Sequence, residues 1–353
     1  MKKTFLVIIP VFAFLAFSPF QCQNISRDGG LFKSTDMGET WQKITVEDED
    51  KSFSIKSLDI LDIEVSPDNS DIVYLGSQGN GFFKSYSNGS FWHKIEDKNG
   101  VLSSRANVYD IAINPKDPEK IYIGAYQDKK GRVFRSQDAG ESWEEVYVVS
   151  REKFAVFAVA VDRYDSSIVY MGTAQGGFLK STDYGKSWEI VKWFDDVISD
   201  IAINPQDTRT VYVATFKKGI YKTNDKGNAW QSFEEALKEF RQSKKVEKLV
   251  IDPKRPNILY AGSEYGLLTS KDGGENWQEV DIIMPPRSEP VLSLTVENQN
   301  SDHLYYGAGS ILYRSLDQGN NWTVHEIESS QSIKVITIDP KDPRTIYLGM
   351  YDE

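Results

Sequence analysis

One cysteine, Cys22, is all that 353 residues provide, so no disulfide can form within the chain and stability must come from packing. The three histidines, His93, His303 and His325, lie far apart in the repeat described below, so neither a zinc site nor a Ser-His-Asp or Cys-His arrangement is expected. Basic residues are in the minority. Lys and Arg number 41 against 52 Asp and Glu, a formal charge of -11, which argues against DNA, RNA and anionic membrane surfaces as generic partners. The acid is dispersed, and no acidic tail is implied. No glycine-rich loop follows a strand and opens a helix, so nucleotide binding has no support and no cofactor or metal is expected. Beyond the leader no stretch is apolar enough to span a bilayer.

What the chain does contain is 40% hydrophobic residues, with 18 Tyr, 18 Phe and 8 Trp, enough to bury a large core. Its start, "MKKTFLVIIPVFAFLAFSPFQCQ", has two lysines, an apolar run from Phe5 to Phe17 and then small, turn-forming residues, the layout of a secretory signal peptide. Residues 1–22 are therefore expected to direct export to the periplasm, the cell surface or the medium, and membrane attachment only through this leader, either uncleaved or lipidated at Cys22. Gln21 before the cysteine departs from the small-residue pattern of lipidation sites.

The body repeats. The spacing S-x-D-x-G-x-x-W first occurs at Ser34, Asp36, Gly38 and Trp41 and recurs six times, with its acidic position at Asp138, Asp183, Asp225, Asp272 and Asp317 and with Ser87 in the second copy. Seven of the eight tryptophans fall in register. Before each motif, except the first, runs an alternating apolar strand, a turn usually of Asn/Asp-Pro type, and a strand ending in Tyr-x-Gly or similar, clearest in "VYDIAINPKDPEKIYIG" from Val108 to Gly124. Each unit thus predicts four short antiparallel strands, the signature of a propeller blade. The pair of strands from Ile333 to Gly349 lacks a following motif, while the motif in residues 29–44 lacks a preceding pair. The two halves are expected to complete one blade, which makes residues 23–353 a single all-β domain, a seven-bladed β-propeller closed by its own ends and expected to be a monomer.

The motif resembles the Asp-box, or BNR repeat, and the longer unit is similar to those of propellers in photosystem II assembly factors, sortilin-type receptors, xyloglucan-cleaving glycosidases and sialidases. The resemblance implies the fold strongly and the activity weakly, because these families include chaperones, receptors and enzymes. Sialidases use an arginine trio, a Tyr nucleophile and an early Arg-Ile-Pro sequence, and no such tripeptide occurs. Xyloglucan-cleaving relatives place acids from two propellers on one cleft, and one propeller is expected here. An exported, non-catalytic binding or assembly propeller that recognises a protein or a glycan is the leading reading, with a glycoside hydrolase as the alternative. Asp195, Asp196, Glu264 and Glu289 are carboxylates that could in principle pair for hydrolysis, although nothing in the sequence pairs them.

The repeated Asp is explained by its hairpin, since its carboxylate can accept turn N–H groups and Ser87 already replaces it once. Asp62, Asp110, Asp200 and Lys248 form a polar ring in the innermost strands; such a ring could hold a cation or water, but mutual pairing is the simpler reading. Ligands of propellers usually sit on the face carrying the blade-to-blade and glycine loops. The residues there with no role in the repeat are Tyr126, Lys129, Arg151, Trp193, Asp195, Lys217, Tyr265, Arg287 and Tyr351, the candidate binding residues. In one such region, Ser232 to Lys245, a capping box at Ser232 and Glu235 and a stripe of Phe233, Ala236, Leu237 and Phe240 predict a short helix.

Overall fold

The computed structural model describes residues 29–45, 54–282, 284–285 and 287–352; the leader and Cys22 lie outside them. The described strands form seven four-stranded antiparallel sheets. Numbered from the first complete unit, the blades have innermost strands Ile60–Val65, Asn107–Ile113, Val156–Val161, Ile198–Ile203, Val246–Ile251, Val291–Val296 and Ser332–Ile338. Blade 7 is composite. Leu31–Ser34 pairs with Ile346–Tyr351 in the register Leu31 to Gly349 and Ser34 to Ile346, so the N-terminal segment supplies the two outer strands and the C-terminal segment the two inner ones.

Burial follows from this stacking. The second and third strands of a blade are covered on both faces by neighbouring blades, and Val73–Ser77 and Gly81–Ser85 are buried at every position. The outermost strands can be as short as Gln231–Ser232 or Gln278–Glu279, polar and exposed, which keeps the outer edge from templating another strand. The Tyr of each Tyr-x-Gly sequence is buried between blades, from Tyr74 to Tyr347. The Gly follows from close approach: a Cβ on Gly76 would lie 2.7 Å from the Val108 carbonyl oxygen of the next blade, and one on Gly124 would lie 2.9 Å from that of Val156. Box tryptophans fill the same interfaces, Trp143 edge-on to Phe82 at 5.1 Å and Trp230 edge-on to Phe178 at 5.3 Å.

The hairpin motif is a structural device in this architecture. In the first copy the Ser34 hydroxyl donates to Asp36 and accepts the Gly38 N–H at 2.8 Å, while Asp36 accepts the Thr40 N–H at 2.9 Å and the Thr40 hydroxyl at 2.6 Å. The same set recurs at Asp138 and Asp183, and these donors hold the Asp36 and Asp183 carboxyls down at about 2. Ser87 makes the reduced version, accepting the Phe91 N–H at 2.9 Å. The residue before each motif glycine takes a positive φ, as at Met37, Asn88, Ala139 and Tyr184. Its N–H is pinned to the inner-strand turn of its own blade, Met37 to Arg344 and Tyr184 to Ser167 at 2.9 Å, which offsets the left-handed strain.

The helix expected over Ser232 to Lys245 does not form. The segment is a chain of turns in which Leu237 donates to Phe233, Phe240 to Leu237 and Ser243 to Phe240. Phe233 and Leu237 are drawn into the core against Ile220, Val246 and Trp277, and the Ser232 hydroxyl accepts from Glu234 in place of the capping-box partner. Packing overrides the local helical pattern.

Candidate functional site

All seven innermost strands carry a β-bulge at the same place. The register skips one residue in each: Leu61, Tyr109, Phe157, Ser199, Glu247, Leu292 and Lys334. A bulge inserts an extra residue and re-aims its side chain. Here the effect is sevenfold, because every one of these side chains lines a single cavity of about 320 Å³ on the loop side of the central channel. Phe216 and Tyr351, from the loop side of blades 4 and 7, complete its rim.

The bulged residues differ from blade to blade. Tyr109 and Phe157 meet edge to face at 4.7 Å, and Phe157 stands 6.5 Å from Phe216, so blades 2 to 4 present an aromatic arc. Blades 5 and 7 present charge: Glu247 lies 3.4 Å from Lys245 and 3.7 Å from Lys334, two blades further round. Ser199 donates to the Val246 carbonyl at 2.6 Å and so braces blade 4 against blade 5.

One residue further along the strands of blades 1, 2, 4 and 5 lies the polar ring seen in the sequence, and three of its members latch neighbouring blades together. An innermost strand pairs on one side only, which leaves N–H groups facing the channel. Asp62 accepts the Ile111 N–H at 2.7 Å, Asp110 that of Val159 at 2.6 Å and Asp200 that of Leu249 at 2.9 Å. Lys248 reaches Asp200 at 3.3 Å, the pairing that the sequence suggested. The remaining acids are crowded. Burial in the wall and the adjacent Glu64 charge push Asp62 up to about 7, and burial together with Asp110 pushes Glu64 up to about 8. Burial and Asp62 hold Asp110 well above the usual carboxylate range.

Of the nine candidate residues, Tyr351 lines the cavity and the other eight stand outside its lining, Tyr126 and Trp193 near strand ends and the rest on loops. Trp193 is 46% exposed at the end of its strand, while the adjacent Phe194 is buried against Tyr221 and Trp230. Lys217 donates its backbone N–H to Asp196 at 2.6 Å, and Arg287 donates its own to the Tyr265 carbonyl at 2.8 Å. Tyr265 packs edge-on to Phe240 and donates its hydroxyl to Glu279. Tyr126 is half-buried, and Lys129, Arg151 and Asp195 are exposed. The four carboxylates weighed for hydrolysis are not brought to the cavity: Asp196 is a buried turn-closing group accepting three backbone N–H bonds, and Glu264 is paired with Lys245 at 2.7 Å. The bulged residues themselves escaped the sequence reading. Their signal was there, as the column just before Asp62, Asp110, Asp200 and Lys248 in which residue type changes from blade to blade.

Repeat, clasp and loop-face cavity define an Asp-box propeller of seven blades. The sequence model of the Sortilin-Vps10 family, described as sortilin, neurotensin receptor 3, matches residues 176–265. A xyloglucanase of Acetivibrio thermocellus, Xgh74A, is 29% identical over 138 residues, 35% of this chain and 16% of its own length, so the chain spans under a fifth of that relative. Among solved structures, a GH74 xyloglucanase from Xanthomonas campestris superposes with a TM-score of 0.70 at 16% identity, over 83% of this chain and 51% of that one. YCF48 bound to D1 peptide superposes with a TM-score of 0.62 at 14% identity, over 84% of this chain and 93% of that one. At such identities the structural likeness shows the fold alone. No helix among the described residues is long and apolar enough to cross a membrane.

Proposed function

We propose that this chain is an exported, non-catalytic binding propeller that holds its ligand at the loop-face mouth of the channel. The observation that carries the reading is the convergence of seven bulged side chains, all at one structural position and nearly all different, on one cavity. Repetition explains the backbone there but not the variety of side chains. Small-molecule and peptide sites are concave, largely preformed and lined by aromatics with a few polar groups, and this cavity has that make-up. Three nearby carboxylates latch the blades together, a structural use that favours binding over turnover. The Trp193 and Arg287 loops would extend the contact for a macromolecular partner, protein or glycan.

A hydrolytic reading has one supporting observation besides the xyloglucanase likeness: burial and mutual repulsion raise the Asp62, Glu64 and Asp110 carboxyls, the direction a general acid needs. The two readings separate in one experiment. Native extract and a glycan array are probed with the parent and with a Tyr109→Ala, Phe157→Ala double variant, and xyloglucan oligosaccharides are incubated with both. Binding by the parent, lost in the folded double variant, with no cleavage, supports the binding propeller. Cleavage abolished by Asp110→Asn would replace it with the hydrolase, and a partner bound equally by both proteins would place the site elsewhere.

A further inference from the structure

The charge around the mouth is uneven in a way that its ligand must answer. On the side of blades 4, 5 and 7 each carboxylate has a cation: Lys248 meets Asp200 at 3.3 Å, and Lys245 and Lys334 meet Glu247 at 3.4 and 3.7 Å. On the side of blades 1 and 2, Asp62 and Asp110 have no ion-pair partner among the described residues, and neither has Glu64, which stands outside the cavity lining; Lys248 acts on them only at longer range. Asp62 and Asp110 line the same cavity as the aromatic arc of Tyr109, Phe157 and Phe216. Stacked or edge-packed rings beside unpaired carboxylates are the chemistry that recognises an organic cation, the ring faces meeting its alkyl and cationic surface and the carboxylates its charge.

Resting on the binding reading above, we propose that the mouth receives the side chain of an arginine or lysine from a protein segment, its cationic end directed toward Asp62 and Asp110 and its stem against Tyr109, Phe157 and Phe216. A volume of about 320 Å³ is at the small end for ligand sites and suits one inserted side chain better than a polymer. The partner is then a segment carrying positive charge, complementary to a chain of net charge -11.

The test uses the full chain and two blocked pentapeptides, acetyl-Gly-Gly-Arg-Gly-Gly-amide and its citrulline counterpart, which keeps the shape and removes the charge. Calorimetry at pH 9, above the raised value of about 7 at Asp62, should show the arginine peptide binding about tenfold tighter than the citrulline peptide. Asp62→Asn and Asp110→Asn should each weaken the arginine peptide several-fold and leave the citrulline peptide unchanged. The amide oxygens introduced by Asp62→Asn and Asp110→Asn can still accept the Ile111 and Val159 N–H groups, so at least one of the two variants should remain folded, as a melting curve will verify. Equal affinity for the two peptides, no binding of either at millimolar concentration, or indifference to both substitutions would overturn the proposal. A partner that still depends on Tyr109 and Phe157 under those results would leave the binding propeller standing without its cation.

Discussion

The outer hairpins and the channel mouth are both built seven times, yet they teach opposite lessons. At the hairpins the residue types are nearly constant, because a turn with two successive positive φ values needs its glycine, its Ser or Thr hydroxyl and its Asp to satisfy the backbone. At the mouth the backbone is constant, a bulge in every innermost strand, while the side chains run Leu, Tyr, Phe, Ser, Glu, Leu, Lys. A hairpin residue answers to its own turn, whereas a bulged residue projects into a cavity where, apart from the Ser199 bond to Val246 and the Glu247–Lys334 pair, the turn chemistry does not dictate its type. On the proposed reading, uniform positions report stability and variable ones recognition.

The comparison can be broken at several strengths. The largest effect should come from removing residues 333–353, which takes both inner strands from the composite blade, leaves the edge of Leu31–Ser34 unpaired and uncovers the faces of the neighbouring blades; an aggregated or unfolded product is expected, and a cooperative melt like the parent's would refute the clasp. Next is Glu64→Gln. With Glu64 raised to about 8 and Asp62 to about 7, the folded chain keeps protons that the unfolded chain has lost, so stability falls as pH rises from the ordinary carboxylate range near 4 through 7 to 8. The substitution should raise the melting temperature at pH 9 by about 3 °C and change it little at pH 4. Asp138→Ala should cost about 1 kcal/mol, or about 2 °C, the usual worth of a capping-type hydrogen bond, with ligand binding intact. Its pH dependence has the opposite sign: the hairpin carboxyls are lowered, to about 2 at Asp36 and Asp183, so their contribution is present above the ordinary carboxylate range and fades as pH falls toward 2. The smallest change is Ser87→Asp, which should restore the full motif and stabilise blade 1 by a few tenths of a kcal/mol in a melting or denaturant titration.

Much of the fold was legible from residues alone. Seven spaced tryptophans and two orphan halves, 29–44 and 333–349, were enough to count the blades and to close the ring, because each motif residue is demanded by a local turn. The Ser232 to Lys245 segment was misread as a helix because its apolar spacing serves two contacts, Phe233 and Leu237 into one core, and not a helical face. The site was less legible. Trp193 and Arg287 stood out as residues with no repeat role, but a bulge is a property of register and has no residue type of its own, so Tyr109 and Phe157 passed for strand interior.

The most direct test sets one region against the other in the same assay. Whatever partner the parent retains from native extract or a glycan array, the Tyr109→Ala, Phe157→Ala variant should lose at least tenfold in affinity while melting as a folded protein, and Asp138→Ala should melt lower but bind as the parent does. Loss of binding in Asp138→Ala, with full binding by the mouth variant, would contradict the account.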